Sequence, residues 1–100
     1  MRINALMMDS KDNVVTCVTE IKKGEQVIYK NGETIKTLLA NEDIPYCHKI
    51  AIIDIAEQGD VIKYGEMIGR TTEPITVGCW VSHKNIYSVP RKYEEEYEEV

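Results

Sequence analysis

His48 and Lys49 are neighbours whose side chains suit work on an acid. An imidazole with an ordinary pKa of ~6.5 exchanges a proton at cellular pH, and an adjacent ammonium holds a carboxylate. Successive residues of a strand face opposite ways, so the two serve one ligand only across a bend, which Pro45 just upstream favours. The plain alternative is a surface His and Lys at a strand start. Lys63-Tyr64-Gly65-Glu66 gathers a cation, a phenol and a carboxylate within one turn, and Gly65 permits close approach of a ligand or a partner. Its plain alternative is a turn with Tyr64 packed on the core and its charges solvated. Cys47, His48, Cys79 and His83 are zinc-type donors, but structural zinc sites pair their ligands roughly two to four residues apart, and this spacing gives little support. No metal is expected on this chain. A Ser/His/Asp arrangement and a phosphate-cradling glycine loop are both absent from the sequence, which excludes the usual routes to nucleophilic hydrolysis and nucleotide binding.

These residues must be positioned by a chain of 100 residues, 43% hydrophobic and 29% charged, which suits one modest core and no deep private active site. Residues 1–90 are read as a single domain, and 91–100 as an acidic tail, a frayed helix or disordered, because adjacent glutamates repel. The 12 basic residues are scattered against 17 acidic ones, so no stripe for nucleic acid is expected. There is no apolar run of the roughly 20 residues a membrane span requires, and the start of the chain lacks the long apolar stretch of a signal peptide. A cytoplasmic location is expected, with the three cysteines reduced.

Short alternating or β-branched segments bounded by Gly, Asn and Asp predict an all-β domain. Strands are expected at Ile3–Met8, Val14–Thr19, Gln26–Lys30, Thr34–Leu39, Lys49–Asp54, Val61–Tyr64 and Cys79–Ile86. Asn31-Gly32 predicts a two-residue type I′ hairpin turn. Three apolar pairs stand six residues apart, Ile21 with Val27, Ile55 with Val61 and Ile75 with Val81, with Gly24, Gly59 and Gly78 inside the intervals. Each copy ends one segment, turns at a glycine and starts the next strand. Such a chain rolls into a compact β structure of short kinked strands.

The stretch Ile44-Pro45 … His48-Lys49-Ile50-Ala51 … Asp54-Ile55 … Gly59 … Val61-Ile62-Lys63-Tyr64-Gly65-Glu66 … Ile68-Gly69 resembles the small N-terminal module of the altronate and galactarate dehydratase family. Asp12-Asn13-Val14 and Ile75 … Gly78 … Val81 … Asn85 extend the resemblance to roughly Asp12–Asn85. It implies a SAF-type domain with a β-clip fold, related in architecture to the C-terminal module of sialic acid synthases and to type III antifreeze proteins. In that family the module precedes a large catalytic region or is a separate small subunit, as in sulfolactate sulfo-lyase. The implied reaction is elimination from a hydroxy acid, commonly with a divalent metal such as iron, which would reside in the large subunit. Where family members often carry a His-x-His-x-His-Asn stretch, this chain reads Trp80-Val81-Ser82-His83-Lys84-Asn85. On a strand, Trp80, Ser82 and Lys84 share the face those imidazoles use, and His83 points away. The change fits another substrate, a non-catalytic member, or a register shift that returns His83 to the functional face.

Two functions follow. In the first, the chain is the non-autonomous small subunit of a hydro-lyase acting on a sugar acid or hydroxy acid. His48 and Lys49 supply a proton relay and carboxylate recognition, while Lys63, Tyr64, Gly65, Glu66, His83 and Asn85 contact substrate or the large subunit. In the second, it is a binding or regulatory module for a small acidic ligand or a partner protein. Neither involves nucleic acid or membrane, and both are compatible with a homo-oligomer.

Overall fold

The computed structural model describes residues 2–88, and the acidic tail lies outside them. The described strands are β1 (Ala5–Leu6), β2 (Val14–Cys17), β3 (Gln26–Asn31), β4 (Thr34–Leu39), β5 (Lys49–Ala51), β6 (Asp60–Lys63), β7 (Glu66–Thr71), β8 (Trp80–Val81) and β9 (Ile86–Tyr87). They form an antiparallel sheet in the order β1-β2-β5-β8, a β3-β4 hairpin, and a β6-β7-β9 sheet. The expected all-β class holds.

The central sheet separates two clusters of buried side chains, because alternate residues of a strand project to opposite faces. Val15, Cys17 and Ile50 join Ala5, Ile21, Val27, Tyr29, Ala40 and Ile44 on one side. Val14, Ala51 and Val81 join Ile55, Val61 and Ile75 on the other. Each fully buried Ile or Val contributes about 1.5–3 kcal/mol by leaving water, and these short strands have few ladder bonds to supplement it.

The six-residue repeat is real, but it has four copies. Ile44 and Ile50 complete the set, and all four leading isoleucines are buried. Lys22–Glu25, Pro45–His48, Ala56–Gly59 and Thr76–Cys79 are turns, each closed by its last N–H on its first carbonyl. The third residue has positive φ in every case, namely Gly24, Cys47, Gln58 and Gly78, as in a type II turn. Gly59 therefore does not fill the left-handed position in its copy. It is small because a Cβ there would lie 2.7 Å from the Ala56 carbonyl oxygen. The fourth copy escapes a search for glycine because a cysteine occupies its left-handed position.

The copies pair through their leading isoleucines, Ile21 with Ile44 and Ile55 with Ile75, each exchanging two backbone hydrogen bonds. Three asparagines then clamp the outgoing strands. The Asn4 amide donates to the Gln26 carbonyl and accepts from the Ile28 N–H, at 2.8 and 2.7 Å. Asn13 does the same to Asp60 and Ile62, both at 2.8 Å, and Asn85 to Trp80 and Ser82, at 2.7 and 2.8 Å. In the copy without such a clamp, Lys49 and Ala51 pair instead with Thr16 and Val14 of β2.

Several boundaries differ from expectation. β1 is a short piece of Ile3–Met8, and β5 stops at Ala51. The segment Cys79–Ile86 is not one strand, because β8 ends at Val81 and a turn intervenes before β9. β7 lies outside the expected strands and contains Gly69. The glycine is required there, because a Cβ would lie 2.6 Å from the Tyr87 carbonyl oxygen of the neighbouring strand. The β3-β4 hairpin has a two-residue loop one position later than expected, at Gly32-Glu33, with only Gly32 at positive φ. The type I′ signature instead belongs to Tyr64 and Gly65, at φ 59° and 73°, joining β6 to β7.

Candidate functional site

His48 closes the second turn and enters β5, two residues before Ile50, which pairs with Trp80 of β8. This diagonal relation brings imidazole and indole together. Trp80 Nε1 donates to His48 Nδ1 at 3.0 Å, and the rings meet edge to face with centroids 5.2 Å apart. Both residues are half-buried. The Trp80 backbone is held on both sides: its N–H donates to the Glu42 carboxylate at 3.1 Å, and its carbonyl accepts from Asn85. The Lys84 ammonium lies 5.6 Å from the indole centroid, within cation–π range.

Lys49 projects to the opposite face of the sheet, so the structure does not bring the two sequence neighbours together on one ligand. It pairs with Thr16 and Val81 in the central sheet. Its amine is held below the ordinary lysine pKa first by burial and then by repulsion from Lys63. Lys63 also lies 5.2 Å from the centroid of the Tyr64 ring. Among the sequence-selected residues, His48 thus stands with Trp80 on one face, and Lys49 with Lys63 on the other.

The Lys63–Glu66 turn is organised by a residue that the sequence did not mark as chemical. The Asp12 carboxylate is buried and accepts three backbone N–H groups, from Asp9 at 3.0 Å, Tyr64 at 3.1 Å and Gly65 at 2.8 Å. This satisfies the turn and holds Tyr64 left-handed with its ring exposed rather than packed on the core. Glu66 is exposed at the hairpin end.

Because β8 ends at Val81, Trp80, Ser82 and Lys84 do not share a strand face. Ser82 is buried, its N–H on Asn85 and its hydroxyl accepting from the Lys84 N–H. His83 is exposed on that turn. The Asn85 side-chain amide is occupied by the backbone of Trp80 and Ser82. Among the described residues no three His, Cys, Asp or Glu side chains converge as a metal site requires. An indole N–H and an ammonium are hydrogen-bond donors and not ligands. The residues present therefore do not fit a metal centre. Sequence reasoning missed the roles of Trp80, Glu42 and Asp12. Only the indole carried a signal, since a buried Trp N–H requires an acceptor.

The fold and site together define a small all-β module that carries one half-buried imidazole held by an indole. Residues 3–89 match the altronate/galactarate dehydratase SAF domain, and the chain belongs to that family. It is 33% identical to altronate dehydratase of Bacillus subtilis over 73 residues, and 40% identical to galactarate dehydratase (L-threo-forming) of Escherichia coli over 45. These matches take in 73% and 45% of the chain, but only 14% and 9% of those relatives. It is also 33% identical to the (2R)-sulfolactate sulfo-lyase subunit alpha of Chromohalobacter salexigens, over 92% of the chain and 98% of that subunit. No helix among the described residues is long and apolar enough to cross a membrane.

Proposed function

We propose that the chain works as the small subunit of a lyase that eliminates water from a sugar acid or related hydroxy acid, together with a large catalytic subunit. The observation that carries this reading is the match to a lyase subunit alpha over nearly the full length of both chains. The dehydratase relatives, matched over a small fraction of their length, support the chemistry. In such an elimination the proton α to the carboxylate is abstracted and the β-hydroxyl departs. The principal base and the divalent metal belong to the large subunit in this reading. This chain contributes the edge bearing His48 and Lys84 to the acid. Lys49, Lys63, Tyr64 and Glu66 meet the partner subunit on the other side. The alternative, a SAF-type module that binds a small acid without turning it over, draws on Trp80, Ser82 and Lys84, which the family resemblance sets against a run of alternating histidines.

Co-expression with a large dehydratase-type subunit tests the reading. A stable complex with elimination activity is expected, and His48→Ala lowers that activity by more than about tenfold. An unchanged rate removes His48 from the reaction. A monomer that binds sugar acids without turnover favours the alternative.

A further inference from the structure

We infer that Trp80 fixes His48 in the neutral tautomer that carries its proton on Nε2, so that His48 meets the acid as a hydrogen-bond donor and not as a proton-accepting base. The inference rests on the proposal that His48 addresses the substrate, and it narrows what the imidazole does there.

The indole Nε1 is a donor only. At 3.0 Å from His48 Nδ1 its proton requires a lone pair on that nitrogen. Both the imidazolium and the other neutral tautomer carry a proton on Nδ1, which would oppose two N–H groups and strand both donors in a half-buried setting. With Nδ1 committed to the indole, the ring proton sits on Nε2, and the hydrogen bond made by one ring nitrogen sets the state of the other.

The donor is itself held firmly. Glu42 takes the Trp80 N–H, Asn85 grips the Trp80 carbonyl, and the Lys84 ammonium faces the ring. A preset N–H donor, held by an indole that a lysine ammonium also faces, fits an anionic oxygen, the carboxylate of a hydroxy acid or the charge that develops on it during elimination. Trp80 is therefore a positioning residue, acting through His48.

Long-range nitrogen–proton NMR spectra of the full chain, with labelled histidine, read the tautomer directly. His48 is expected to show a pyridine-type Nδ1 and a pyrrole-type Nε2, and Trp80→Phe, which keeps an aromatic ring without the donor, is expected to average the two. A protonated Nδ1 in the wild-type chain overturns the inference, even if Trp80→Phe fails to fold. In the complex with the large subunit, His48→Gln, which keeps a donor near the Nε2 position, is expected to retain activity within about tenfold of wild type, whereas His48→Ala loses about a hundredfold. Equal losses in the two variants overturn the donor role. If His48→Ala leaves the rate unchanged while the spectra are as expected, the functional reading fails and the tautomer assignment stands.

Discussion

The carboxylate of Asp12 accepts the backbone N–H of Gly65 at 2.8 Å across 53 positions of sequence, and this bond fastens the β6-β7 turn to the start of β2. The same carboxylate takes the Tyr64 N–H, so it satisfies both left-handed residues of the turn. Asp12→Ala leaves these donors unpaired and is expected to cost about 1–3 kcal/mol. Chemical denaturation measures the loss. A variant as stable as wild type would show that the turn holds itself.

Gly24 and Gly78 occupy the same position in two copies of the repeat, at φ 89° and 88°. A Cβ on Gly24 meets open space, whereas one on Gly78 falls on the Leu39 carbonyl oxygen. Gly24→Ala is expected to cost about 1–2 kcal/mol, the backbone term alone. Gly78→Ala should cost several kcal/mol more or prevent folding, since the obstruction is backbone. Equal thermal shifts would refute the steric argument.

The cysteines divide by environment. Cys17 is buried, and desolvation pushes its thiol up to about 11. Cys47 is exposed and Cys79 intermediate. Alkylation of the native protein followed by peptide mass mapping is expected to label Cys47 first, with Cys17 modified only on unfolding. The raised thiol pKa also sets a sign. Folding favours the protonated form, so its contribution is complete below the unfolded value of 9.0 and is lost as pH rises towards 11. Cys17→Ala should flatten that alkaline decline, and an unchanged slope would count against it.

Lys49 carries the opposite sign. Its amine is depressed by burial and by Lys63, so the folded state holds its proton less tightly than the unfolded chain does. The penalty is complete at neutral pH and is relieved as pH climbs to the ordinary lysine value of 10.5. Lys49→Met is expected to be more stable than wild type at neutral pH, by a margin that narrows in alkali. A margin that widened with pH would contradict the burial argument.

The β class, two copies of the left-handed glycine turn and most strand centres were legible in the sequence, because they depend on residues close together along the chain. Ile21 with Gly24 and Ile75 with Gly78 speak for themselves. The copy built on Ile44 and Cys47 does not, since a cysteine tolerates positive φ only where surrounding bonds hold it, here its N–H on the Cys17 carbonyl at 2.9 Å. The strand β7 is not legible, because the close passage of Tyr87 that requires Gly69 is invisible until the sheet is assembled.

The candidate site divides along the same line. By itself the sequence determined that His48 and Lys49 are adjacent and that Trp80 brings an indole N–H in need of an acceptor. The tertiary structure decided that His48 faces Trp80, 32 residues away, and that Lys49 turns to Lys63. The physical reason is pairing register: a shift of one residue sends every side chain of a strand to the other face. That register is set here by the pairing of β5 with β2 and β8 and by the bridge of Ile21 with Ile44, and no local pattern encodes it.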